Sequence, residues 1–480
     1  MEPGANLLEI TMSRRSSLRS DVVELADEPY PTDPAGKKKK KPQRLTSLDA
    51  YRGFIMIMLA AHGFGLAALA RQPDDSPLWS MVNRESVEAI GFHFDHPPWQ
   101  SSFVPGTQDA TVGSQWMRFA VSFWDLIQPA FMFMVGVAMP FSYSRRASSG
   151  ESAFKRGFHA FLRAVVLVLM GVVLYSVGHD STNWIFPNVL AQIGLGYFFV
   201  YLILGLPKWG QWASFAAILI GTWGVMQFYQ SADYHPEQVA ASYERGDVYY
   251  PPYRQWSKNG NAFSDFDVWF LNLFPRPADL GPFKYNSGGY QTLNFVPSMA
   301  TMLLGVFCGQ LLLSSMYSPG RKLLYLILGA LLAYGLGIVT GAFCCPNVKR
   351  IWTPSWVLFS GGYVIGMLAL FYLLFDILPL KKLAFPLVVV GMNSILVYII
   401  GETGLHHWIV ENTMVHLGGP IQSLLGAIGL RAGLVSGASP GEAGTIMYDA
   451  FRPVVNATAG VIVIWLFSLW LYRQKVFLKI

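Results

Sequence analysis

Residues 322–343 read KLLYLILGALLAYGLGIVTGAF, and this stretch decides the class of fold. After Lys322 it carries no charged side chain. An α-helix rises about 1.5 Å per residue, so roughly twenty apolar residues cross the hydrocarbon core of a bilayer, which is about 30 Å thick. A segment this long and this apolar predicts a transmembrane helix.

The rest of the chain repeats this pattern between polar loops. Of its 480 residues, 52% are hydrophobic and only 13% are charged, and the mean hydropathy is +0.36. Soluble proteins carry charge on about a quarter of their residues, so this composition argues against an ordinary soluble enzyme. We predict an all-α, polytopic membrane helix bundle of about ten transmembrane helices. The predicted segments are residues 53–70, 118–140, 160–178, 188–206, 212–229, 293–314, 322–343, 355–377, 384–401 and 453–472.

Residues 405–435 form an ambiguous apolar segment. Gly418, Gly419 and Pro420 interrupt it, and Arg431 lies within it. Backbone that is not helical is tolerated at membrane depth only where it is buried in protein or lines a cavity. We therefore predict a half-buried or re-entrant piece, with an eleventh transmembrane helix as the alternative.

The distribution of Lys and Arg predicts the orientation, because short cytoplasmic loops are enriched in both. Most basic clusters fall in alternate loops, which predicts that both termini are cytoplasmic. Lys349 and Arg350 are an exception, since they lie in a predicted outer loop. The predicted inner segments hold Lys37 to Arg44, Arg145, Arg146, Lys155, Arg156, Lys208, Arg321, Lys322, Lys381, Lys382, Arg473, Lys475 and Lys479.

Residues 1–46 are predicted to be a disordered basic cytoplasmic tail, and residues 47–480 the membrane domain. The tail lacks the apolar core of a secretory signal. Its run from Lys37 to Lys41 could suggest nucleic acid. A basic block just before an apolar segment is more typical of a topology anchor or of contact with anionic lipid, so we predict membrane lipid and no nucleic acid as partners.

Two predicted extracytoplasmic loops are long, residues 71–117 and 230–292. The second is dense in Tyr, Trp, Pro and Asp, and includes Trp256 and Trp269. Loops of this length usually carry function or cover a site. Exposed aromatic faces with carboxylates suit sugar rings, and a belt of Trp and Tyr at the membrane interface is an equally good interpretation.

Three ionisable side chains are candidates for catalysis, because such groups are costly in or beside membrane helices. His62 lies in the first predicted helix, where a hydrogen-bonded structural His is the simpler interpretation. His96 lies in the next loop and could act as a nucleophile or general base. Asp125 could orient that His, hold a substrate amine, or cap the helix that it begins.

Further polar side chains are candidates for binding. Asp49 and Arg52 are one helical turn apart and could pair as a cap, or Arg52 could grip a phosphate entering from the cytoplasm. Glu402 and His406 have helical spacing and could form a base with its orienter, but two ligands do not predict a metal site. The other candidates, for which contacts between helices are the simpler interpretation, are Gln128, Asn188, Gln192, Asn393 and Ser394.

Five stretches stand in a fixed order along the chain. They are RLTSLDAYRG at 44–53, WDLIQP continuing to Gly136 at 124–136, VLAQIG at 189–194, the stretch from Leu293-Asn294 to Leu304-Gly305, and GMNSILVY at 391–398. Together they resemble the transmembrane acetyltransferases typified by heparan-alpha-glucosaminide N-acetyltransferase and its bacterial relatives.

The resemblance implies transfer of acetyl from cytoplasmic acetyl-CoA to an amine of glucosamine on the far side of the membrane. A His in the loop between the first two motifs serves this reaction in the family, and His96 followed by Trp99 is similar to its His-x-x-Trp pattern. In the family that His closely precedes the Asp-Leu motif, whereas residues 101–120 intervene here. Either these residues are an insertion or His96 is not the equivalent. His62 is the alternative: the family has an active-site Asn near the end of the first helix, and here that neighbourhood holds His62 and Gly63.

The resemblance therefore implies a bacterial plasma-membrane enzyme whose co-substrate is acetyl-CoA and whose acceptor is an extracytoplasmic amino sugar or glycan. It adds Asn294 to the binding candidates and implies no metal. The His would either carry the acetyl group as an acetyl-imidazole or deprotonate the acceptor directly. A sugar transporter or flippase without covalent chemistry and a polysaccharide O-acetyltransferase remain alternatives, and a homodimer is one assembly to test.

Overall fold

The computed structural model describes residues 45–97, 99 and 121–478, which form helices and no strand. Residues 1–44 of the predicted tail, which include Lys37 to Arg44, and residues 101–120 therefore lie outside the described residues, as does Lys479. The helices are α1 Thr46–Ala60, α2 Leu66–Ala70, α3 Leu78–Met81, α4 Arg84–Phe92, α5 Phe123–Ser148, α6 Ala153–Ser176, α7 Val189–Leu204, α8 Lys208–Phe228, α9 Ala262–Leu271, α10 Phe295–Leu313, α11 Pro319–Phe343, α12 Pro354–Tyr372, α13 Phe385–Gly391, α14 Ser394–Glu402, α15 Leu405–Arg431 and α16 Pro440–Arg473.

The prediction of an all-α polytopic membrane protein is confirmed, but the count of ten spans is not. Among the described residues, six helices are long and apolar enough to cross a membrane, and up to eight spans result if each of two bent helix pairs counts as one. The remaining two predicted segments correspond to α7, which has only 16 residues, and to α8, which is not among the qualifying helices.

The segment from residue 405 is a continuous helix, α15, of 27 residues. The predicted interruption at Gly418, Gly419 and Pro420 is wrong, because the helix continues through all three. α15 packs along α16, and Gly426 lies against the backbone of Gly444. Tertiary packing along this pair therefore outweighs the local helix-breaking tendency of Pro and Gly.

Glycines in the quoted motifs allow helices to pack backbone against backbone. A Cβ atom at Gly53 on α1 would overlap the Leu387 carbonyl oxygen on α13, and a Cβ at Gly391 would overlap the Asp49 carbonyl oxygen. Gly136 on α5 meets the backbone of α10 in the same way, and Gly305 on α10 meets the backbone of α5. Small residues at helix crossings are typical of membrane bundles, where close approach replaces the hydrophobic effect as the source of association.

Two bends interrupt the bundle, and each lies at a polar residue that the sequence singles out. The chain between α1 and α2 turns by 47°, with positive φ at His62, Gly63, Phe64 and Gly65. Positive φ is costly for residues other than Gly. The second bend, of 58°, separates the helical segment that ends with α13 from α14, and Asn393 lies at the break.

Candidate functional site

His96 lies beside the first turn of α5. Its Nδ1 is 3.3 Å from Asp125 Oδ1, and the Trp124 indole Nε1 donates to its Nε2 at 3.2 Å. The His96 side chain is 45% exposed, so molecules from outside the bundle can reach it, whereas Asp125 is 5% exposed. The structure thus joins His96 and Asp125, two of the three predicted catalytic residues.

Hydrogen bonds join the loop that carries His96 directly to the start of α5. Ser122, the N-cap of α5, donates through Oγ to the Asp95 carbonyl oxygen at 2.7 Å, and the Trp124 backbone N–H donates to the His93 carbonyl oxygen at 3.0 Å. Asp95 also forms an ion pair with Arg71. Residues 101–120 therefore do not keep His96 away from Asp125.

Lys349 is the third member of this site. Its Nζ donates to Asp125 Oδ1 at 2.9 Å, and both side chains are 5% exposed. Burial alone would lower the pKa of the Lys349 ammonium, but the Asp125 carboxylate raises it above its ordinary value. The site therefore contains a buried ion pair under an accessible imidazole.

Lys349 was missed as a candidate from the sequence, although a signal was present. Lys349 and Arg350 stand in a loop predicted to be outside, where the positive-inside rule disfavours them. Arg350 donates to the Pro97 carbonyl oxygen at 3.2 Å and to the Gly288 carbonyl oxygen at 3.3 Å. Both basic residues are thus used within the fold, which explains why they depart from the charge pattern.

The arrangement fixes the chemistry available to His96. With Nδ1–H donating to the Asp125 carboxylate, the lone pair of a neutral imidazole lies on Nε2. Nε2 is then the atom that can accept a proton or attack a carbonyl carbon, and the carboxylate would stabilise a positive charge that develops on the ring. The Trp124 indole N–H occupies that lone pair here, so a reacting group has to displace it.

His62 belongs to a second histidine cluster at the bend after α1. Its ring centroid is 4.6 Å from that of His406 and 6.3 Å from that of His407. Both ring nitrogens of His406 are buried without a hydrogen-bond partner. A Cβ at Gly63 would meet the Phe94 ring, two residues before His96, so the His62 bend packs directly against the His96 loop.

The predicted helical pairing of Glu402 with His406 is wrong. Glu402 is the last residue of α14, and His406 lies in α15 after a break at Thr403 and Gly404. Within the ranges that the structure describes, no group of three or more His, Cys, Asp or Glu could hold a metal ion.

Three of the predicted amide candidates support the end of the bundle that carries His96. Asn188 is the N-cap of α7 and accepts from the Ala191 N–H at 2.9 Å. Gln192 donates to the carbonyl oxygens of Gln291 and Thr292 at 3.0 and 3.1 Å, and Asn294 donates to that of Arg350 at 2.7 Å. Gln128 is half-buried on α5, one turn after Asp125.

The other candidates gather near the start of α1. Arg52 Nη1 lies 3.8 Å from Asp49 Oδ1, as their spacing predicts. Asn393 donates to the Val476 carbonyl oxygen at 3.1 Å and accepts from the Leu478 N–H at 2.9 Å, which ties the last described residues to the bundle. Ser394 begins α14 directly after it.

Aromatic residues of the 230–292 loop are part of a buried core to which other segments of the chain contribute. Tyr249 and Trp256 are buried in one cluster with Trp99, whose indole donates to the Trp256 carbonyl oxygen at 3.1 Å. The prediction of an exposed aromatic face is therefore wrong for Trp256. Trp269, by contrast, is 60% exposed.

Two comparisons with known proteins indicate what this chain is similar to. The family model described as "Heparan-alpha-glucosaminide N-acetyltransferase, catalytic" matches residues 99–253, a range that includes Asp125 and begins just after His96. The human protein of the same name is 23% identical over 400 residues, which cover 75% of this chain and 52% of the human protein. The chain thus spans about half the length of that relative. The two matches confirm the family resemblance that the five ordered motifs indicate.

Proposed function

We propose that this protein is a transmembrane acetyltransferase that takes acetyl from acetyl-CoA and passes it to an amino sugar or glycan. The observation that carries this proposal is the geometry at His96. Its accessible imidazole is oriented by Asp125, which in turn pairs with Lys349. The family resemblance supports the reaction class. The donor and the acceptor are proposed by analogy with the family.

His96 can serve the reaction in two ways. In the first, Nε2 attacks the thioester carbonyl, an N–C bond forms, the C–S bond breaks, and CoA leaves as a thiolate that takes up a proton. The acceptor amine then attacks the acetyl-imidazole and releases its proton as the C–N bond to His96 breaks. In the second, Nε2 accepts the proton of the amine while that amine attacks the thioester carbonyl of acetyl-CoA directly. The C–S bond then breaks, and the CoA thiolate takes up the proton from Nε2. In both, Asp125 remains a carboxylate that stabilises the imidazolium.

The predicted orientation places the two substrates on opposite faces of a bacterial plasma membrane, with both termini in the cytoplasm. The acceptor would reach His96 from the extracytoplasmic side, past the 230–292 loop. CoA is too polar to cross a bilayer, so the donor would enter from the cytoplasm.

Labelled acetyl-CoA tests the proposal. The purified protein in nanodiscs is incubated with acetyl-CoA and a panel of amino sugars, and acetylated product and free CoA are both measured. We expect acceptor-dependent CoA release that His96→Ala abolishes. His235→Ala, which changes an exposed His in the 230–292 loop, is the matched control and should retain full activity.

Two outcomes would count against this function. Equal CoA release with and without every acceptor would exclude acetyl transfer to this class of substrate. Uptake of a sugar by proteoliposomes without any acetyl-CoA consumption would instead favour the transporter. Product analysis by mass spectrometry separates N- from O-acetylation when transfer is observed.

A further inference from the structure

A basic cavity lies between α5, α6 and α7. Its volume is about 340 Å³, within the usual range for small-molecule sites, and its lining residues include no carboxylate. Three arginines, a histidine, a serine and three tyrosines supply its polar lining: Arg146, Arg156, Arg163, His159, Ser142, Tyr143, Tyr197 and Tyr201.

Aromatic rings hold two of the guanidinium groups in place. Arg163 lies 4.9 Å from the centroid of the Tyr197 ring, and its Nη1 donates to the Tyr197 hydroxyl at 3.4 Å. Arg156 lies 5.2 Å from the centroid of the Tyr143 ring. Cation–π contacts of this kind position an arginine without neutralising its charge.

The guanidinium groups retain unused donors inside the protein. The Nε atoms of Arg156 and Arg163 are both buried and have no hydrogen-bond partner. Arg146 has an ion pair with Glu151 at 3.4 Å, and Arg156 donates to the backbone carbonyl oxygen of that same residue. A buried N–H without a partner is costly, and more so on a cation, so the cavity is built for an acceptor that the protein does not supply.

Phosphate fits these requirements better than a carboxylate or a neutral sugar. Arginine offers planar, paired N–H groups that match phosphate oxygens, and several arginines together suit a multiply charged anion. The volume is about ten times that of one water molecule, so the cavity can hold an organic group beside the phosphate. The tyrosine rings offer flat surfaces for such a group.

The cavity is separate from the His96 site. Asp125 and Arg146 lie 21 residues apart on the single helix α5, which corresponds to about 30 Å along its axis. The two sites therefore lie at opposite ends of that helix.

We propose that the cavity lined by Arg146, Arg156 and Arg163 binds a phosphate ester. Two sources carry this chemistry, the phosphates of CoA and the headgroup of an anionic lipid. The CoA source rests on the proposed acetyltransferase function, whereas the lipid source does not depend on it.

Direct binding tests the CoA source without requiring turnover. CoA is titrated into the full-length protein in zwitterionic nanodiscs, and the dissociation constant is measured for wild type, Arg163→Gln and Arg156→Gln. We expect each variant to weaken CoA binding about tenfold or more. Arg145→Gln and Lys155→Gln remove exposed neighbours that do not line the cavity, and both should bind like wild type.

A second arm tests the lipid source. The same proteins are placed in nanodiscs of phosphatidylcholine alone or with phosphatidylglycerol, and bound phosphatidylglycerol is measured by native mass spectrometry. Retention by wild type and loss in Arg163→Gln, with CoA binding unchanged, identifies a lipid headgroup site. If neither ligand responds to Arg156→Gln or Arg163→Gln in protein that elutes as a single species, the proposal is overturned.

Arg163→Lys is the control that distinguishes a loss of binding from a loss of folding. It keeps the positive charge but removes the planar fork, so we expect an intermediate loss of affinity at an unchanged thermal midpoint. The binding assay also separates the two proposals. If CoA binds through these arginines but no acceptor is ever acetylated, the acetyltransferase function fails and the phosphate site stands.

Discussion

The two ends of α5 differ in how completely their charged side chains are paired. At the end of Asp125, the carboxylate is satisfied by Lys349 and by His96, and only the imidazole is accessible. At the end of Arg146, guanidinium groups outnumber the neighbouring carboxylates and keep buried donors without partners. Complete pairing is typical of a preorganised reactive group, whereas incomplete pairing indicates a site whose last partner is a ligand.

Asp125→Asn should be the most destabilising change at the paired end. It leaves Lys349 buried without its counterion, and such uncompensated charges cost about 3–5 kcal/mol. The midpoint of thermal unfolding in detergent should fall strongly. The difference in thermal midpoint between Asp125→Asn and wild type should shrink as the pH rises. Without the carboxylate, burial lowers the pKa of Lys349, so its amine loses the proton at a lower pH. Glu88→Gln, which breaks the exposed pair with Arg84, is the control and should leave the midpoint unchanged.

Gly136→Ala should destabilise the protein by disturbing α5, the helix that joins the two ends. The added Cβ would overlap the Met302 carbonyl oxygen, so α5 and α10 must move apart, at a cost of about 1–3 kcal/mol. Gly221→Ala on α8, where a Cβ meets open space, is the matched control. That control should not lower the thermal midpoint. An unchanged midpoint for Gly136→Ala would contradict the close packing of these helices.

Asp267 lies on α9 and accepts a hydrogen bond from Thr292, just before α10. Its carboxyl should make the free energy of unfolding depend on pH, with a smaller effect than the two substitutions above. Burial raises the pKa of this carboxyl to about 7, although the Thr292 N–H donates to it at 2.8 Å. In the unfolded chain its pKa is about 3.9. The unfolded state therefore releases the proton first, and folding stability falls as the pH rises from about 4 to about 7.

Asp267→Asn removes this proton equilibrium and keeps an oxygen that can accept from Thr292. The thermal midpoint of the variant should fall less than that of wild type between pH 4 and pH 8. Asp233→Asn, at an exposed position in the same loop, should follow wild type. Parallel pH curves for wild type and Asp267→Asn would show that the carboxyl does not titrate in this range.

The motifs that carry the family resemblance were visible in the sequence, but part of their physical meaning was not. Gly53, Gly136, Gly305 and Gly391 mark places where two helix backbones touch. A single sequence shows that a glycine is present, whereas the partner backbone that requires it comes from another part of the chain. The order of the motifs therefore predicted the resemblance, and the structure supplies the helix pairs.

The site was predictable only in part. His96 and Asp125 stood out as polar groups beside apolar segments, and their contact was proposed from the sequence. Lys349 lies 224 residues from Asp125, and no local pattern links the two. The helical spacing of Glu402 and His406 was misleading, because the extended backbone at Thr403 ends α14 and the two residues do not share a helix.

The most direct test of the central claim is the rate of acetyl transfer from acetyl-CoA to an amino sugar by His96→Ala and His62→Ala, measured side by side in nanodiscs. Loss of a general base or nucleophile lowers the rate by about 10²–10⁴-fold. We expect that loss for His96→Ala and a much smaller change for His62→Ala, with thermal midpoints close to wild type. Wild-type transfer by His96→Ala, or loss confined to His62→Ala, would contradict this expectation.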